Sequence, residues 1–143
     1  MEKSPRMLEG YRVLDFTHFV AGPTCTRILG EMGADVIKVE RNQQGDHVRL
    51  LGMVKDGMSS YYFQHNHSKR SLALDFQKPE AKELVLKLIP KIDVVVENFA
   101  PGVIAAMTPG AKFSTTTSIF GISLSSSSFA SGFWKSSARL RLE

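Results

Sequence analysis

The chain has 143 residues, 43% of them hydrophobic and 22% charged, which is the make-up of one ordinary globular domain and excludes a wholly disordered chain. Its net charge of +4 is uneven. Residues 1–107 carry 14 Lys/Arg against 13 Asp/Glu, whereas residues 108–143 carry four cations against Glu143 alone, so the basic excess is a property of the tail and gives little reason to expect a nucleic-acid partner. No apolar run approaches the length that spans a bilayer, and the opening MEKSPRMLEG holds no apolar core of a secretory signal; a cytoplasmic or organelle-matrix protein with no membrane partner is expected. Cys25 is the sole cysteine, so an intrachain disulfide and a cysteine-based zinc site are both excluded.

In chain order, RVLDF (12–16) reads as a short buried strand. Gly22-Pro23 signals a turn at a helix start. Residues 23–32 have helical spacing, with Cys25, Ile28, Leu29 and Met32 on one face and Gly33 placed to stop the helix. DVIKVE (35–40) is a second strand, which completes a strand–helix–strand unit. A polar loop over 42–46 follows. Residues 47–58 are ambiguous, and 59–66 fit either a strand or a short helix. SLALDF (71–76) alternates as a strand does. PEAKELVLKLIPK (79–91) reads as a helix, with Pro79 at its first position, Leu84, Val85 and Leu88 as its apolar stripe, and Pro90 at its end. DVVVE (93–97) is a buried strand, and 98–107 pass from a loop into a helix near Pro101. Strands alternating with helices predict an α/β fold with a parallel sheet and flanking helices.

After Met107 the composition changes. Residues 108–143 hold ten Ser and four Thr, with no acidic residue before Glu143. They read either as a flexible low-complexity extension or as a tail translated out of frame.

Several groups invite chemistry. The loop Thr17–Pro23 joins the first strand to the first helix, where open parallel sheets place ligands, though it lacks both the dinucleotide and the P-loop glycine fingerprints. Glu40 and Arg41 end the second strand: an acid there can hold a ribose and an arginine can grip a phosphate, while a solvated surface pair is the alternative. Lys69-Arg70 can attract a polyanion or be ordinary surface. His47, His65 and His67 lack accompanying carboxylates or cysteines at ligand spacing, so no metal is expected; as strand residues His65 and His67 share a face. Cys25 reads as a small core residue. Asn98 to Gly102 follow a strand's carboxyl end and make a plausible ligand loop or a routine turn.

Four ordered blocks then carry a resemblance: GYRVLDFTHFVAGPTCTRILGEMGADVIKVER, GDHVR, HSKRSLALDFQKPEAKELVLKL and DVVVENFAPG. Over about residues 9–107 the chain resembles the N-terminal part of the family III CoA-transferases, nearest to their formyl-CoA:oxalate branch and related to the acyl-CoA racemases. The resemblance implies a Rossmann-like parallel sheet, truncated and followed by an irregular Ser-rich tail, with residues 1–107 as the coenzyme A-binding part and 108–143 as a divergent extension, disordered or out of frame. It implies a CoA thioester and a small carboxylic acid as substrates, with CoA moved through an aspartyl intermediate, and a homodimer of interlinked chains in complete members that a shortened chain is not expected to keep.

By position, the resemblance assigns the CoA site to Val20 and Ala21 in the first loop, Arg41, the strand-end segment Leu74, Asp75, Phe76 and Gln77, and the loop Asn98, Phe99 and Ala100. Val20 stands where a polar residue is expected, Gln77 where a lysine is, and Ala106 where an arginine is. It assigns no nucleophile: Asp15, Asp35, Asp75 and Asp93 read as structural, and the chain by itself is expected to be inactive. Rival expectations are a stand-alone, non-catalytic CoA-binding module and a fragment of an acyl-CoA racemase.

Overall fold

The computed structural model describes residues 5–99, 103–107, 116–119 and 122–126. Four strands form its parallel centre: β1 (Arg12–Asp15), β2 (Asp35–Arg41), β5 (Lys69–Leu74) and β6 (Val94–Glu97). They lie in the order β5-β2-β1-β6, with Val13 opposite both Val36 and Val94 and with Val36 opposite Lys69. The helices between them are α1 (Ala21–Glu31), α2 (Ser60–Asn66), α3 (Pro79–Leu88) and, after β6, α4 (Val103–Met107). The chain winds outward from β1 through β2 to β5, then returns to the other side of β1 with β6. That reversal is the place where parallel sheets open a crevice at their carboxyl ends.

The two faces of the sheet differ. On one, Leu14, Phe16, Val39 and Val95 pack with Val85 of α3 and with Ile92 into an apolar core. Leu14 and Val85 are fully buried, and burial of side chains this size stabilises by about 1.5–3 kcal/mol each. On the other face, Val13, Val36 and Val96 start an apolar patch, but successive positions toward the carboxyl ends are Asp15, Lys38 and Glu40, all buried. This second face is covered by α1 and α2.

That ionic face explains a departure from the expected helix pattern. The buried side of α1 is Gly22, Pro23, Thr26 and Gly30, whereas Ile28 is 43% exposed and Cys25 is half-buried. Of the expected apolar stripe of Cys25, Ile28, Leu29 and Met32, Leu29 packs against the Val13–Val36–Val96 cluster, but the closest approach to the sheet is made by small residues that let the helix backbone come near. A Cβ on Gly22 would lie 2.5 Å from Thr17 Cβ, and one on Gly30 would lie 2.9 Å from the Ser68 carbonyl oxygen. The helix also starts two residues before Pro23, at Ala21. Gly33 ends it as expected, in the left-handed region at φ 110°.

Other elements shift modestly. The third strand of the parallel set runs from Lys69 to Leu74 rather than over 71–76, because it pairs with β2 from Val36 to Arg41 and Asp75 then opens a turn, its carbonyl accepting the Lys78 N–H at 2.9 Å. The ambiguous residues 47–58 form a 3₁₀ turn over His47–Leu50 and the first part of a small hairpin of β3 (Val54–Lys55) and β4 (Met58–Ser59). Residues 60–66 are helical, with the Ser59 hydroxyl accepting from the Tyr62 N–H at 3.1 Å as the cap. In α3, Ala81 and Val85 are buried while Leu84 is 40% exposed, so the apolar stripe is narrower than its spacing suggests. Within the serine-rich tail, β7 (Thr116–Ile119) and β8 (Ile122–Ser126) pair with each other and β8 pairs antiparallel with β6. The remainder of the expected irregular tail lies outside the described residues. Among the described residues no helix is long and apolar enough to cross a membrane.

Candidate functional site

A cavity of about 680 Å³ opens at the carboxyl ends of the parallel strands. Phe16 beyond β1, Val39 and Arg41 of β2, Leu74 at the end of β5, and Phe99 beyond β6 contribute to its wall. Its mouth is polar: Asn42, Gln43 and Gln44 follow β2, and Asp75 and Gln77 follow β5. Six of the ten residues assigned to the site from sequence line this one space, namely Arg41, Leu74, Asp75, Phe76, Gln77 and Phe99. Val20 and Ala21 are exposed at the start of α1, outside the lining. Ala100 lies outside the described residues.

Asn98 has a different task. Its Oδ1 accepts from the His18 N–H at 2.9 Å, and its Nδ2 donates to the His18 carbonyl at 2.8 Å. Both ends of the amide are thus engaged on one backbone unit 80 residues away. The same loop is held from beneath by Lys38, whose side chain is 1% exposed. Its ammonium donates to the Thr17 carbonyl at 2.6 Å and pairs with Asp46 at 3.0 Å. Asp46 in turn accepts from the N–H groups of Phe19 and Val48. Phe19 adopts φ 65°, an uncommon conformation for a residue with a side chain, and its ring stacks on His47 at 5.4 Å. The first loop is therefore held both locally, by Asp15 accepting from the Thr17 N–H and hydroxyl, and from afar, by Lys38 of β2, Asp46 and Asn98.

His18 is a lining residue that sequence reasoning did not single out. Its ring packs 5.1 Å from Phe99, and its Nδ1 is buried without a hydrogen-bond partner among the described residues. Burial pushes its pKa below the ordinary value, so the ring faces the cavity uncharged at neutral pH. The one available signal was its position just past a strand end, beside the turn.

Two other sequence candidates are committed to structure. Glu40 is 2% exposed and is not free to hold a ribose. Arg49 grips it with two hydrogen bonds of 2.8 Å, the Tyr62 hydroxyl donates to it at 2.6 Å and Ser71 at 2.9 Å, and the Asp46 N–H donates to its other oxygen at 3.0 Å. Burial by itself raises this carboxyl's pKa, but the hydrogen bonds from Arg49, Tyr62 and Ser71 outweigh it and hold the group at about 2. Arg49 also lies over the Tyr62 ring at 3.7 Å. Lys69, read as half of a basic surface pair, points inward instead. It pairs with Asp15 at 3.0 Å and donates to the Pro23 carbonyl and to Asn66 at 2.9 Å each. Burial pushes its pKa down to about 8. Arg70 pairs with Asp35 at 2.6 Å.

The aspartates divide the same way. Asp15 is fully buried and accepts from Thr17 and Thr26 hydroxyls at 2.6 Å as well as from Lys69. Asp93 accepts the Arg12 N–H at 2.8 Å. His65 is in α2 and His67 caps it, so the shared strand face expected for them does not form; His65 contacts the Thr24 hydroxyl at 3.0 Å and His67 lies 3.3 Å from Glu31. Among the described residues no group of three His, Cys, Asp or Glu side chains is placed to hold a metal. Cys25 is half-buried, and its thiol pKa is raised by burial, with Asp15 adding to the effect.

Comparison with known proteins identifies the family. A family model described as CoA-transferase family III matches residues 8–113. The formyl-CoA:oxalate CoA-transferases of Bradyrhizobium sp. strain ORS 278 and of Afipia carboxidovorans are each 52% identical over 103 residues, covering 71% of this chain and 24% of the relative. The chain thus spans about a quarter of the length of the curated relatives it matches. Among solved structures, the Rv3272 protein of Mycobacterium tuberculosis is similar with a TM-score of 0.67 and 37% identity, over 73% of this chain and 30% of that one. A CAIB/BAIF family protein from Brucella suis is similar with a TM-score of 0.65 and 30% identity, over 82% of this chain and 36% of that one.

Proposed function

Because this chain belongs to CoA-transferase family III, we propose that it supplies the CoA-binding part of an enzyme that moves CoA from an acyl-CoA to a small carboxylic acid. The observation that carries this reading is the convergence of Arg41, the Leu74–Gln77 segment and Phe99 on one cavity at the carboxyl ends of the strands. These residues are separate in sequence and are among those the family resemblance assigns to CoA. Apolar walls from Leu74, Phe76 and Phe99 suit the pantetheine arm, and the exposed guanidinium of Arg41 suits a phosphate oxygen at the mouth.

The attacking carboxylate of the family's route is not among the strand aspartates of this stretch. Asp15 is enclosed by Lys69 and two threonines, Asp35 is paired with Arg70, and Asp93 caps a backbone N–H. Asp75 faces the cavity but accepts the Gln77 N–H at 3.1 Å within its own turn. The proposed role of residues 1–107 is therefore binding and orientation, with the covalent step carried by a group that these residues do not supply. The names of the formyl-CoA:oxalate relatives make formyl-CoA and oxalate the first donor and acceptor to try.

A calorimetric titration of the chain with CoA tests the reading. Saturable binding that Arg41→Ala weakens about tenfold is expected, the worth of a charge-assisted hydrogen bond. Absence of heat up to millimolar CoA, or binding indifferent to Arg41, overturns it.

A further inference from the structure

The outer side of β6 is occupied by a segment that lies past the stretch carrying the family match. The Phe16 N–H donates to the Val96 carbonyl at 2.8 Å, so the backbone groups of Val96 face β1. Alternation along a strand turns those of Val95 and Glu97 the other way. The register sets Val95 opposite Ser125 and Glu97 opposite Ser123 of β8, the positions at which antiparallel neighbours exchange hydrogen bonds. β8 is held in turn by β7, and the sheet ends in the order β6-β8-β7. Both strands lie beyond residue 113, where the family model stops matching.

We propose that β7 and β8 are a built-in edge guard: β8 fills a strand-addition site on β6, and when β8 is displaced the same site takes β6 of a second copy. With β8 gone, the outward ladder of β6 would stand open. Behind it is Val94-Val95-Val96, in which Val95 is 5% exposed and Val96 fully buried. An uncharged, β-branched run with an open ladder is a template for another strand. Antiparallel pairing needs no crossover connection, so the added strand can come from a separate chain. Every copy that opened this edge would offer the same strand to the next, and two antiparallel β6 strands satisfy each other about a two-fold axis. With the hairpin in place the outermost strand is β7, where Thr116, Thr117 and Ser118 make a far less apolar edge than three valines.

The test compares the full 143-residue chain with its Ser125→Pro variant by amide hydrogen exchange and sedimentation velocity. In the unaltered chain the amides of Val95, Glu97, Ser123 and Ser125 are expected to exchange at least about a hundredfold more slowly than in an unstructured chain, as paired sheet amides do. Proline removes the N–H that position 125 turns toward β6 and is not accommodated inside a sheet. The variant is expected to self-associate at least about tenfold more tightly, the worth of one or two ladder hydrogen bonds regained between copies. Its Val95 amide should be protected in the associated form and lose that protection on dilution, while Val13 and Val36 at the sheet centre keep theirs. Free exchange of Ser123 and Ser125 in the unaltered chain overturns the inference. So does a folded variant that associates no more than the unaltered chain, or one that associates with Val95 left unprotected. If the variant unfolds outright, with Val13 and Val36 unprotected, the exchange of Ser123 and Ser125 in the unaltered chain decides. None of these readouts involves CoA, so the binding reading stands or falls separately.

Discussion

Glu40 ties β2 to the turn after it and to α2, and acidification should untie them. Its carboxyl is held at about 2, against an ordinary value of 4.5. A folded-state pKa below the unfolded one contributes stability that is complete above the ordinary value and is lost as pH falls through the lower one. At about 1.36 kcal/mol per decade, the difference corresponds to about 3 kcal/mol. The Arg49 side chain that supplies two of the hydrogen bonds is 40% exposed, so solvent screens part of this, and about 2–3 kcal/mol is the expected loss. The assay is urea denaturation at a series of pH values from 6 to 2, on the unaltered chain and on Glu40→Gln. The variant keeps most of the geometry but has no carboxylate to titrate. Its stability should fall less steeply with acid, so that the gap between the two proteins narrows by about 2–3 kcal/mol across the series. Parallel profiles would refute the reasoning, because they would mean that the bonded carboxylate is no better off folded than unfolded.

Two further outcomes follow from the supports of the first loop. Asp46→Ala leaves the buried Lys38 ammonium with only the Thr17 carbonyl, and should cost about 3–5 kcal/mol in urea denaturation, much of it recovered by adding Lys38→Met; a cost below about 1 kcal/mol for the single change would contradict the pairing. Gly22→Ala drives a Cβ to within 2.5 Å of Thr17, and should cost about 1–3 kcal/mol in the same assay while weakening CoA binding through displacement of the loop; unchanged stability would show that α1 is not seated as closely as described.

The alternation of strands and helices was legible because Leu14, Val36, Val95 and their neighbours are short apolar runs bounded by Gly and Pro, a pattern that local physics suffices to read. Gly33 was legible for the same reason, since a helix stop is a local event. What escaped was set by contacts far apart in the chain. Lys69 looks like surface until Asp15, 54 positions earlier, is placed beside it. Glu40 looks available for a ribose until Arg49, Tyr62 and Ser71 close around it. The stripe of Ile28, Leu29 and Met32 is regular, but only Leu29 packs on the apolar cluster of Val13, Val36 and Val96, and toward the carboxyl ends, where Asp15 lies, the small residues Gly22 and Thr26 face the sheet. Within the cavity lining, Arg41 and the loop holding Phe99 were raised by their places just at or past strand ends, whereas the Leu74–Gln77 segment came only through the family resemblance. His18 was passed over because nothing in its immediate neighbours marks it as buried.

The ionic half of the sheet has a bearing on how this chain can change over generations. Near the amino ends of the strands, Val13, Val36 and Val94 are held by contacts that another aliphatic residue of similar size can supply, so drift there is cheap and reversible one step at a time. Toward the carboxyl ends, Asp15, Lys38 and Glu40 each depend on named partners on other elements, and any single exchange strands a charge. Permissiveness should therefore run as a gradient along β1 and β2, falling toward their carboxyl ends. A library of random variants sorted for folded protein would display it as near-invariant positions at Asp15, Lys38 and Glu40 and at their partner Lys69, regardless of whether any ligand was present during the selection.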